Sequence, residues 1–284
     1  MCGIAGVMYR GNQAFDTGDA LIRMLDGCQH RGPDSTGFAL YAPEATGRLK
    51  LRFFIDPQTS TDRDSAIAAI RARLVDLGAK IEEEAEAGDN YRVTVHFDGD
   101  VQKLSYEMEH AAKVISIGTS LEIVKDIGSA HDVDDRYHVN QFRGTHGLGH
   151  VRLATESDVK PQITNYWKMR RRLEQREFEF TTDNDSELIA VYLADKLAQG
   201  NTLQEALATS IDDLDGTFSF LVSTKDEIGY AKDRLAAKPM IMYEDDDLVA
   251  IASEEVSLNR LFPGKALNTR EPAPGTYATW SRSI

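Results

Sequence analysis

The pattern of apolar and polar positions predicts a chain that alternates between antiparallel strands and helices. An apolar, glycine-containing run over residues 3–9 predicts a first strand, and period-two alternation over 91–97 predicts a strand with one wet face. Further strands are predicted at 38–41, 114–117, 178–180, 218–222, 228–232, 240–243, 248–253 and 276–280. Helices are predicted after Asp16 or Thr17, at 66–77, 103–110, 120–126, 188–197, 203–214 and 254–261, and from residue 165. Because strands occupy both ends with helices between them, we expect an α+β fold, a four-layer αββα sandwich of two antiparallel sheets.

The region from about residue 57 to 143 is expected to form a small α/β layer inserted into this sandwich. It contains no motif that carries chemistry, since its isolated histidines are typical of surface or core positions. The acidic run at 82–86 is interpreted as a solvated segment. The chain is therefore read as one domain over 1–284, interrupted by an insertion at about 57–143.

Composition limits the classes of partner and compartment. The chain has 284 residues, a net charge of −14 and a pI of about 5.0, which argues against nucleic acid and anionic membranes as partners. It has no apolar run of spanning length, and its two cysteines give no disulfide framework, so a cytoplasmic location is expected. Cys28 lies on the apolar stripe of a predicted helix and is interpreted as a small buried hydrophobe.

Cys2 is the first candidate for chemistry. Removal of Met1 would leave a residue that carries both a thiol and a free α-amine. An amine with a pKa near 8 can activate the thiol, directly or through a water. This is the cysteine form of the N-terminal nucleophile, although a cysteine at the second position proves little by itself.

Three other polar positions support a site, each with a plainer alternative. The turn at 29–37 is rich in hydrogen-bonding groups, and it is either a structural knot beside the first strand or the wall of a site. Arg152 ends a glycine-rich strand, where it either forks a carboxylate or makes a surface salt bridge. Asp185 lies at a helix start, where it is either a cap or a receptor for a substrate ammonium.

Together these segments resemble the glutaminase domain of the class II, N-terminal-nucleophile glutamine amidotransferases. The resemblance covers residues 1–56 and 144–284, and it implies the Ntn-hydrolase type of αββα sandwich. The conjunction of segments is highly specific, whereas any one of them is weak. The similar segments are residues 2–6, 30–34, 149–155, 182–187, 215–218, 233–239 and 252–255.

The resemblance also implies roles for individual residues. Cys2 would attack the side-chain amide of glutamine, forming a glutamyl thioester that water then hydrolyses to glutamate. Arg152 would hold the substrate α-carboxylate, Asp185 its α-ammonium, and Thr155 would line the pocket. A supporting loop would stand behind the thiol, formed by His30, Arg31 and Asp34.

Within that family the likeness is greatest to the amidotransferase-like subunit of methylamine–glutamate N-methyltransferase (N-methylglutamate synthase) and to glutamate-synthase-like proteins. It rests on the absence of a synthase domain, the insertion before His146, and the segment 163–167. The likeness implies companion glutamate-synthase-like subunits that bind FMN, with an iron–sulfur cluster as a further candidate. This chain itself is expected to bind glutamine or glutamate and no cofactor or metal, and to take part in methylamine metabolism within a hetero-oligomer.

One departure from the family pattern puts activity in question. The family supplies an oxyanion hole from an Asn-Gly pair after the arginine strand, but here residues 155–161 run into Gln162 without such a pair. Losing one oxyanion donor typically costs on the order of 10²–10³ in kcat. Either this sequence omits a segment of the natural protein, or the chain is a non-catalytic structural or regulatory subunit. Asn165 as a substitute donor is a third, less well placed, alternative. A fourth hypothesis, hydrolysis of another amide, fits the pairing of Arg152 with Asp185 poorly.

Overall fold

The computed structural model describes residues 2–11, 13–44, 47–57, 62–153 and 162–282. The strands are β1 (Gly3–Tyr9), β2 (Ser35–Tyr41), β3 (Arg48–Phe54), β4 (Lys80–Ala87), β5 (Asn90–His96), β6 (Lys113–Gly118), β7 (Leu121–Ile127), β8 (His146–Arg152), β9 (Ser219–Ser223), β10 (Glu227–Lys232), β11 (Ile241–Glu244), β12 (Leu248–Ala252) and β13 (Tyr277–Ser281). The helices are α1 (Thr17–Cys28), α2 (Arg63–Asp76), α3 (Val101–Glu109), α4 (Ala130–Tyr137), α5 (Tyr166–Glu174), α6 (Asp185–Ala198), α7 (Leu203–Asp213) and α8 (Glu255–Leu261).

A six-stranded antiparallel sheet carries the amino terminus of the chain near its centre. Its strand order is β11-β12-β1-β8-β2-β7, so β1 is paired on both sides. Gly149 of β8 faces α1, and a Cβ there would lie 2.8 Å from the Leu25 side chain. The glycines of β8 therefore allow α1 to pack closely against this sheet.

The second sheet has three strands in the order β13-β10-β9, and it faces the first. Between the sheets lie Ile4 and Ile251 from the first and Tyr230 and Trp280 from the second. The outer face of the six-stranded sheet packs on α1, α4 and α8, while α5, α6 and α7 cover the three-stranded sheet. The predicted αββα sandwich of two antiparallel sheets is thus confirmed. None of the described helices is both long and apolar enough to cross a bilayer.

A four-stranded sheet, β4-β5-β3-β6, forms the additional layer with α2 and α3 and has its own apolar core. Its strands come from Arg48–Phe54 through Lys113–Gly118, whereas β7 pairs with β2 in the six-stranded sheet. As a division into domains, the insertion at about 57–143 stays a prediction.

Two predicted elements are wrong. The segment 120–126 was expected to be a helix capped by Ser120, but it lies in β7, whose seven residues pair with β2 from Leu121 opposite Tyr41 to Ile127 opposite Ser35. Its β-branched residues favour a strand once that partner edge is available.

The segment 178–180, expected as a strand, has no strand conformation. Its two phenylalanines pack against the cluster under α5–α7, and the Arg170 guanidinium lies 4.8 Å from the Phe180 ring centroid. The alternation of Phe178 and Phe180 thus reflects packing against helices rather than pairing with a strand.

The acidic run at 82–86 is exposed, as expected, but it forms part of the edge strand β4. Arginines of β3 and α2 pair with its carboxylates, among them Arg48 with Glu82 at 2.7 Å and Arg63 with Glu86 at 2.8 Å. These pairs reduce the repulsion between neighbouring carboxylates and allow an acidic sequence to form a strand.

Candidate functional site

Cys2 lies at the amino end of β1 and at one end of the space between the two sheets. Gly3 pairs with Val151 of β8 and Ile4 with His150, so the register continues with Cys2 opposite Arg152. Side chains alternate between the faces of a strand, so Cys2 shares the face of Ile4, which packs toward the three-stranded sheet. The thiol is exposed, in contrast to the buried thiol of Cys28.

Two groups from β8 and its end contact the Cys2 sulfur. The His150 imidazole hydrogen-bonds the thiol, and the backbone N–H of Leu153 donates to it as well. The bond from His150 is the largest influence on the thiol; partial burial opposes it, and the Leu153 N–H adds to it. Together they lower the pKa of Cys2 from 9.0 to about 7. A large fraction of the thiol is therefore the nucleophilic thiolate at neutral pH.

The backbone of Cys2 is held from the opposite side by the 29–37 turn and by the end of β12. The Arg31 Nε donates to the Cys2 carbonyl at 3.3 Å, while Arg31 NH1 pairs with Glu254 at 2.5 Å. The Ser253 hydroxyl accepts from the Ile4 N–H at 3.0 Å, and the Ser253 N–H donates to the Ile4 carbonyl at 2.9 Å. These contacts fix the thiol by fixing the residues that flank it.

His30 also contacts Glu254, with Nε2 3.2 Å from its carboxylate. Burial raises the pKa of Glu254, but the pairing with Arg31 and His30 outweighs it and holds that pKa below its usual range. The turn that carries His30 and Arg31 thus both stabilises the fold beside β1 and supports the candidate site.

Arg152 ends β8 beside this turn. A Cβ at Gly32 would lie 2.3 Å from the Val151 carbonyl and 2.4 Å from the Arg152 nitrogen, so only glycine permits this approach. The Asp34 N–H donates to the Arg152 carbonyl at 3.1 Å and closes the contact. The Arg152 side chain is exposed, and within the described residues no carboxylate pairs with it.

Asp185 is the first residue of α6, and its carboxylate is engaged by backbone. The N–H of Gln162 donates to one oxygen at 2.7 Å and the N–H of Ile163 to the other at 3.4 Å. No described contact joins Asp185 to Cys2 or to Arg152. The structure therefore brings Cys2, Arg152 and the supporting loop together, while the role of Asp185 toward a substrate stays a prediction.

Two further predictions concern the segment after β8. Thr155 and the stretch without Asn-Gly lie outside the described residues. The side chain of Asn165, the alternative oxyanion donor, donates to the Asp213 carbonyl at 2.8 Å and accepts from the Asp215 N–H at 3.1 Å. Both the nitrogen and the oxygen of the Asn165 side-chain amide therefore already form hydrogen bonds within the fold.

A separate cavity of about 210 Å³ lies at the edge strand β11, two strands away from β1, and is lined by Met242, Glu244, Asn268 and Arg270. The Glu244 carboxylate already accepts hydrogen bonds from the Arg270 guanidinium at 2.8 Å and from Trp280 Nε1 at 2.9 Å. We therefore do not place a site there. Within the described ranges there is also no group of three or more residues suited to hold a metal.

The sequence interpretation missed three contributors to the site: Ser253, Glu254 and the imidazole of His150. The signal for the first two was the segment 252–255, which follows a strand and matches the family, but no role was assigned to it. The signal for His150 was its position two residues before Arg152 on a strand that pairs with β1.

Comparison with known proteins identifies the class that this fold and site define. A model of the glutamine amidotransferase domain matches residues 158–260. A protein of Methanothermobacter thermautotrophicus named "Putative glutamine amidotransferase" is 37% identical, over 92% of this chain and 94% of its own length. The glutamine amidotransferase-like protein GlxB of Rhizobium meliloti is 32% identical, over 99% of this chain and 98% of its own length. The chain belongs to the glutamine amidotransferase family.

Solved structures agree on the fold. The glutamine phosphoribosylpyrophosphate amidotransferase of B. subtilis, complexed with ADP and GMP, superposes with a TM-score of 0.60 at 18% identity. The match covers 99% of this chain and 47% of that one, so this chain spans about half the length of that enzyme. The Ntn-hydrolase type of sandwich is thereby confirmed.

The alignment with GlxB extends over 303 positions, more than the 284 residues of this chain. That relative therefore carries residues that this chain lacks.

Proposed function

We propose that this chain hydrolyses glutamine at Cys2 and supplies the ammonia to a partner protein. The observation that carries the proposal is the Cys2 thiol, which lies at the end of β1 opposite Arg152 in a member of the glutamine amidotransferase family. Its pKa of about 7 provides the thiolate that attack on an amide requires.

The charged groups suit the two ends of a free amino acid. Arg152 would fork the α-carboxylate with two parallel hydrogen bonds, which places the side-chain amide against the sulfur. Asp185 would receive the α-ammonium, since a carboxylate offers about four acceptor positions and the two backbone N–H groups use only part of them. Thr155 would line the pocket between them.

The acceptor is proposed to be a companion glutamate-synthase-like subunit, as in N-methylglutamate synthase, with FMN and an iron–sulfur cluster on the companions. This is supported by the near-complete coverage of the curated relatives, 94% and 98% of their lengths. Such lengths leave no room in those relatives for a second domain of the size found in the phosphoribosylpyrophosphate amidotransferases. On this proposal, amine metabolism takes place on the partner subunits.

A second candidate is a subunit that binds an amino acid without hydrolysing it. One observation favours it, namely that residues 153–165 contain no Asn-Gly pair to form an oxyanion hole. An enzyme that lacks both donors would retain binding but lose most of its turnover.

Glutamate release from glutamine separates the two candidates. The assay compares the wild-type chain, with and without its co-purified companions, with Cys2→Ala as the inactive variant and Cys28→Ala as the matched control. Hydrolysis that persists in Cys28→Ala and disappears in Cys2→Ala supports the first candidate. Glutamine binding by calorimetry with no release above the Cys2→Ala level, companions present, rejects it and favours the second.

A further inference from the structure

We propose that the junction between the additional layer and the six-stranded sheet binds a phosphate group, either as free inorganic phosphate or as part of a phosphate monoester. The binding groups are Lys50 and Arg52 of β3 and Arg92 of β5, which converge on Glu122 of β7. The inference does not depend on the proposed function, because none of these four residues belongs to the candidate site at Cys2.

Strand register brings the three cations to one face of the additional layer. Arg52 lies directly opposite Arg92 in the β3–β5 pair, and Lys50 is two residues before Arg52 on the same strand. All three side chains therefore share one face, and the alternate residues of β3, such as Leu51, fill the apolar core on the other. Because like charges directly opposite each other destabilise a sheet, this face requires negative charge.

Glu122 supplies part of that negative charge. Its carboxylate lies 3.0 Å from Lys50 Nζ, 3.3 Å from Arg52 NH2 and 3.0 Å from Arg92 Nε. Among the residues that the structure describes, none of the three cations forms an ion pair with another carboxylate. The ion pairs thus join three positive charges to one negative charge, an excess of two. A phosphate monoester carries about two negative charges at neutral pH.

The cluster is largely buried, which makes its charge balance important. Arg52 is 8% exposed and Glu122 is 6% exposed. Burial lowers the pKa of Arg52, and the charge of Arg92 adds to that effect, while Glu122 only partly opposes it. Burial raises the pKa of Glu122, but the three cations outweigh it and hold that pKa below its usual range. The carboxylate is therefore charged, and one carboxylate does not fully compensate the buried guanidinium.

The two arginines also retain donors that an anion can use. Within the described part of the chain, the Nε atoms of Arg52 and Arg92 are both buried and have no hydrogen-bond acceptor. Arg92 Nε is near the Glu122 carboxylate but is not aligned with it for a hydrogen bond. The oxygens of a phosphate group accept hydrogen bonds from guanidinium and ammonium groups, and these charge-assisted bonds are strong.

Solvent reaches one side of the cluster. The side chain of Arg92 is 37% exposed and that of Lys50 is 17% exposed, so an anion can contact these two groups from solution. The cations belong to the additional layer, whereas Glu122 belongs to β7, which pairs with β2 in the six-stranded sheet. A phosphate bound here would therefore hold the layer against the sheet and stabilise the folded chain.

The test is calorimetric titration at pH 7.5, with thermal unfolding in parallel and the ionic strength held constant with sodium chloride. The probes are inorganic phosphate and adenosine monophosphate, with adenosine and acetate as the uncharged and singly charged controls. The variants are Arg92→Gln, Lys50→Gln and Glu122→Gln. Arg48→Gln is the matched control, because Arg48 is also on β3 and loses the same charge but pairs with Glu82 instead.

We expect saturable binding of a phosphate probe to wild type and to Arg48→Gln, with a melting temperature that rises with its concentration. Arg92→Gln and Lys50→Gln should each weaken binding at least about tenfold, because a charged donor is lost. Glu122→Gln should tighten binding by about tenfold, because the cations no longer share a competing carboxylate. Tighter binding of inorganic phosphate assigns the site to the free anion, and tighter binding of the nucleotide assigns it to a monoester.

Four results would overturn the proposal. The first is no saturable binding of either phosphate probe to wild type. The second is wild-type affinity in folded Arg92→Gln and Lys50→Gln variants. The third is an equal loss in Arg48→Gln, which would indicate general attraction to positive charge. The fourth is acetate binding as tight as that of phosphate, or a folded Glu122→Gln variant that binds phosphate no more tightly than wild type, because either would contradict the charge balance.

Discussion

Two histidines on β8 show how position along one strand separates structure from chemistry. His146 and His150 are four residues apart and face the three-stranded sheet from the same side of the strand. His146 is fully buried, with Nε2 donating to the Thr224 carbonyl at 2.7 Å and the ring stacked 4.3 Å from Tyr41. His150 is exposed and contacts the Cys2 thiol.

The comparison shows that the two ends of the space between the sheets differ in function. We call the end at His146, where the imidazole is buried, the closed end, and the end at His150, where the imidazole is exposed, the open end. At the closed end, burial lowers the pKa of His146 to about 4, so the imidazole stays neutral and joins the two sheets. At the open end, the same residue type lies next to the Cys2 thiol and two residues from the exposed guanidinium of Arg152. The histidine at one end of β8 thus stabilises the fold, and the histidine at the other end contacts the candidate nucleophile.

The largest expected effect is at the open end. Arg152→Gln should lower kcat/KM for glutamine by about 10²–10³, roughly 3–4 kcal/mol, because the substrate carboxylate loses its charged partner. Steady-state glutaminase kinetics measure the effect, and Arg23→Gln on the outer face of α1 is the control. An unchanged KM would show that Arg152 does not bind the substrate carboxylate. A large loss of unfolding free energy would show that Arg152, like His146, mainly stabilises the fold.

Next in size is the acid sensitivity of the closed end. The His146 pKa is about 4 in the folded chain and near 6.5 when unfolded, so between these values the unfolded chain binds more protons. The contribution of His146 to the free energy of unfolding should therefore be fully present above pH 6.5 and should fall by about 3 kcal/mol as the pH drops to 4. Urea unfolding at several pH values measures this slope. In His146→Gln the stability lost over that window should be about 3 kcal/mol smaller than in wild type, and an equal loss in the two proteins would contradict the assignment.

A smaller effect concerns the contact that joins the turn to β8. Gly32→Ala should destabilise the chain by about 2 kcal/mol, because its Cβ meets the backbone of Val151 and Arg152. Gly11→Ala is the matched control, since its nearest atoms lie 3.9 Å away. The unfolding free energy should change only in the first variant; equal values would show that the turn does not press against the strand.

The smallest expected effect is at the pair that supports the Cys2 carbonyl. Glu254→Gln should cost about 1 kcal/mol of stability, because Arg31 and Glu254 are only 12% and 26% exposed and share a charged hydrogen bond. Asp19→Asn, which breaks an exposed pair on α1, serves as the control and should have almost no effect. If the two variants lose equal stability, Arg31–Glu254 is an ordinary surface pair.

Much of the fold could be predicted because local pattern and final packing agree. The strands β1, β5 and β10 and the helix α7, with its capping box of Thr202 and Glu205, follow directly from periodicity and caps. The local sequence pattern gave the wrong element where pairing with a distant strand determined the secondary structure. The segment 120–126 has both a possible helix cap and β-branched residues, and only the edge of β2 determines that it becomes β7.

The site could be predicted only in part, for a similar reason. Cys2, Arg152 and the supporting loop were identified by residue type and by family resemblance. His150 was not, because its partner is 148 positions away in the chain, and the contact depends on which residue of β1 lies opposite it. Register between distant strands cannot be read from either strand alone.

The most direct measurement of the central claim is labelling by 6-diazo-5-oxo-norleucine, a reactive glutamine analogue, followed by peptide mapping. The account predicts one adduct, on the peptide that carries Cys2, blocked by excess glutamine and strongly reduced in Arg152→Gln. Cys28 should remain unlabelled, because it is fully buried and burial raises its pKa. No adduct on Cys2 with companions present, or an adduct that glutamine does not block, would contradict the account.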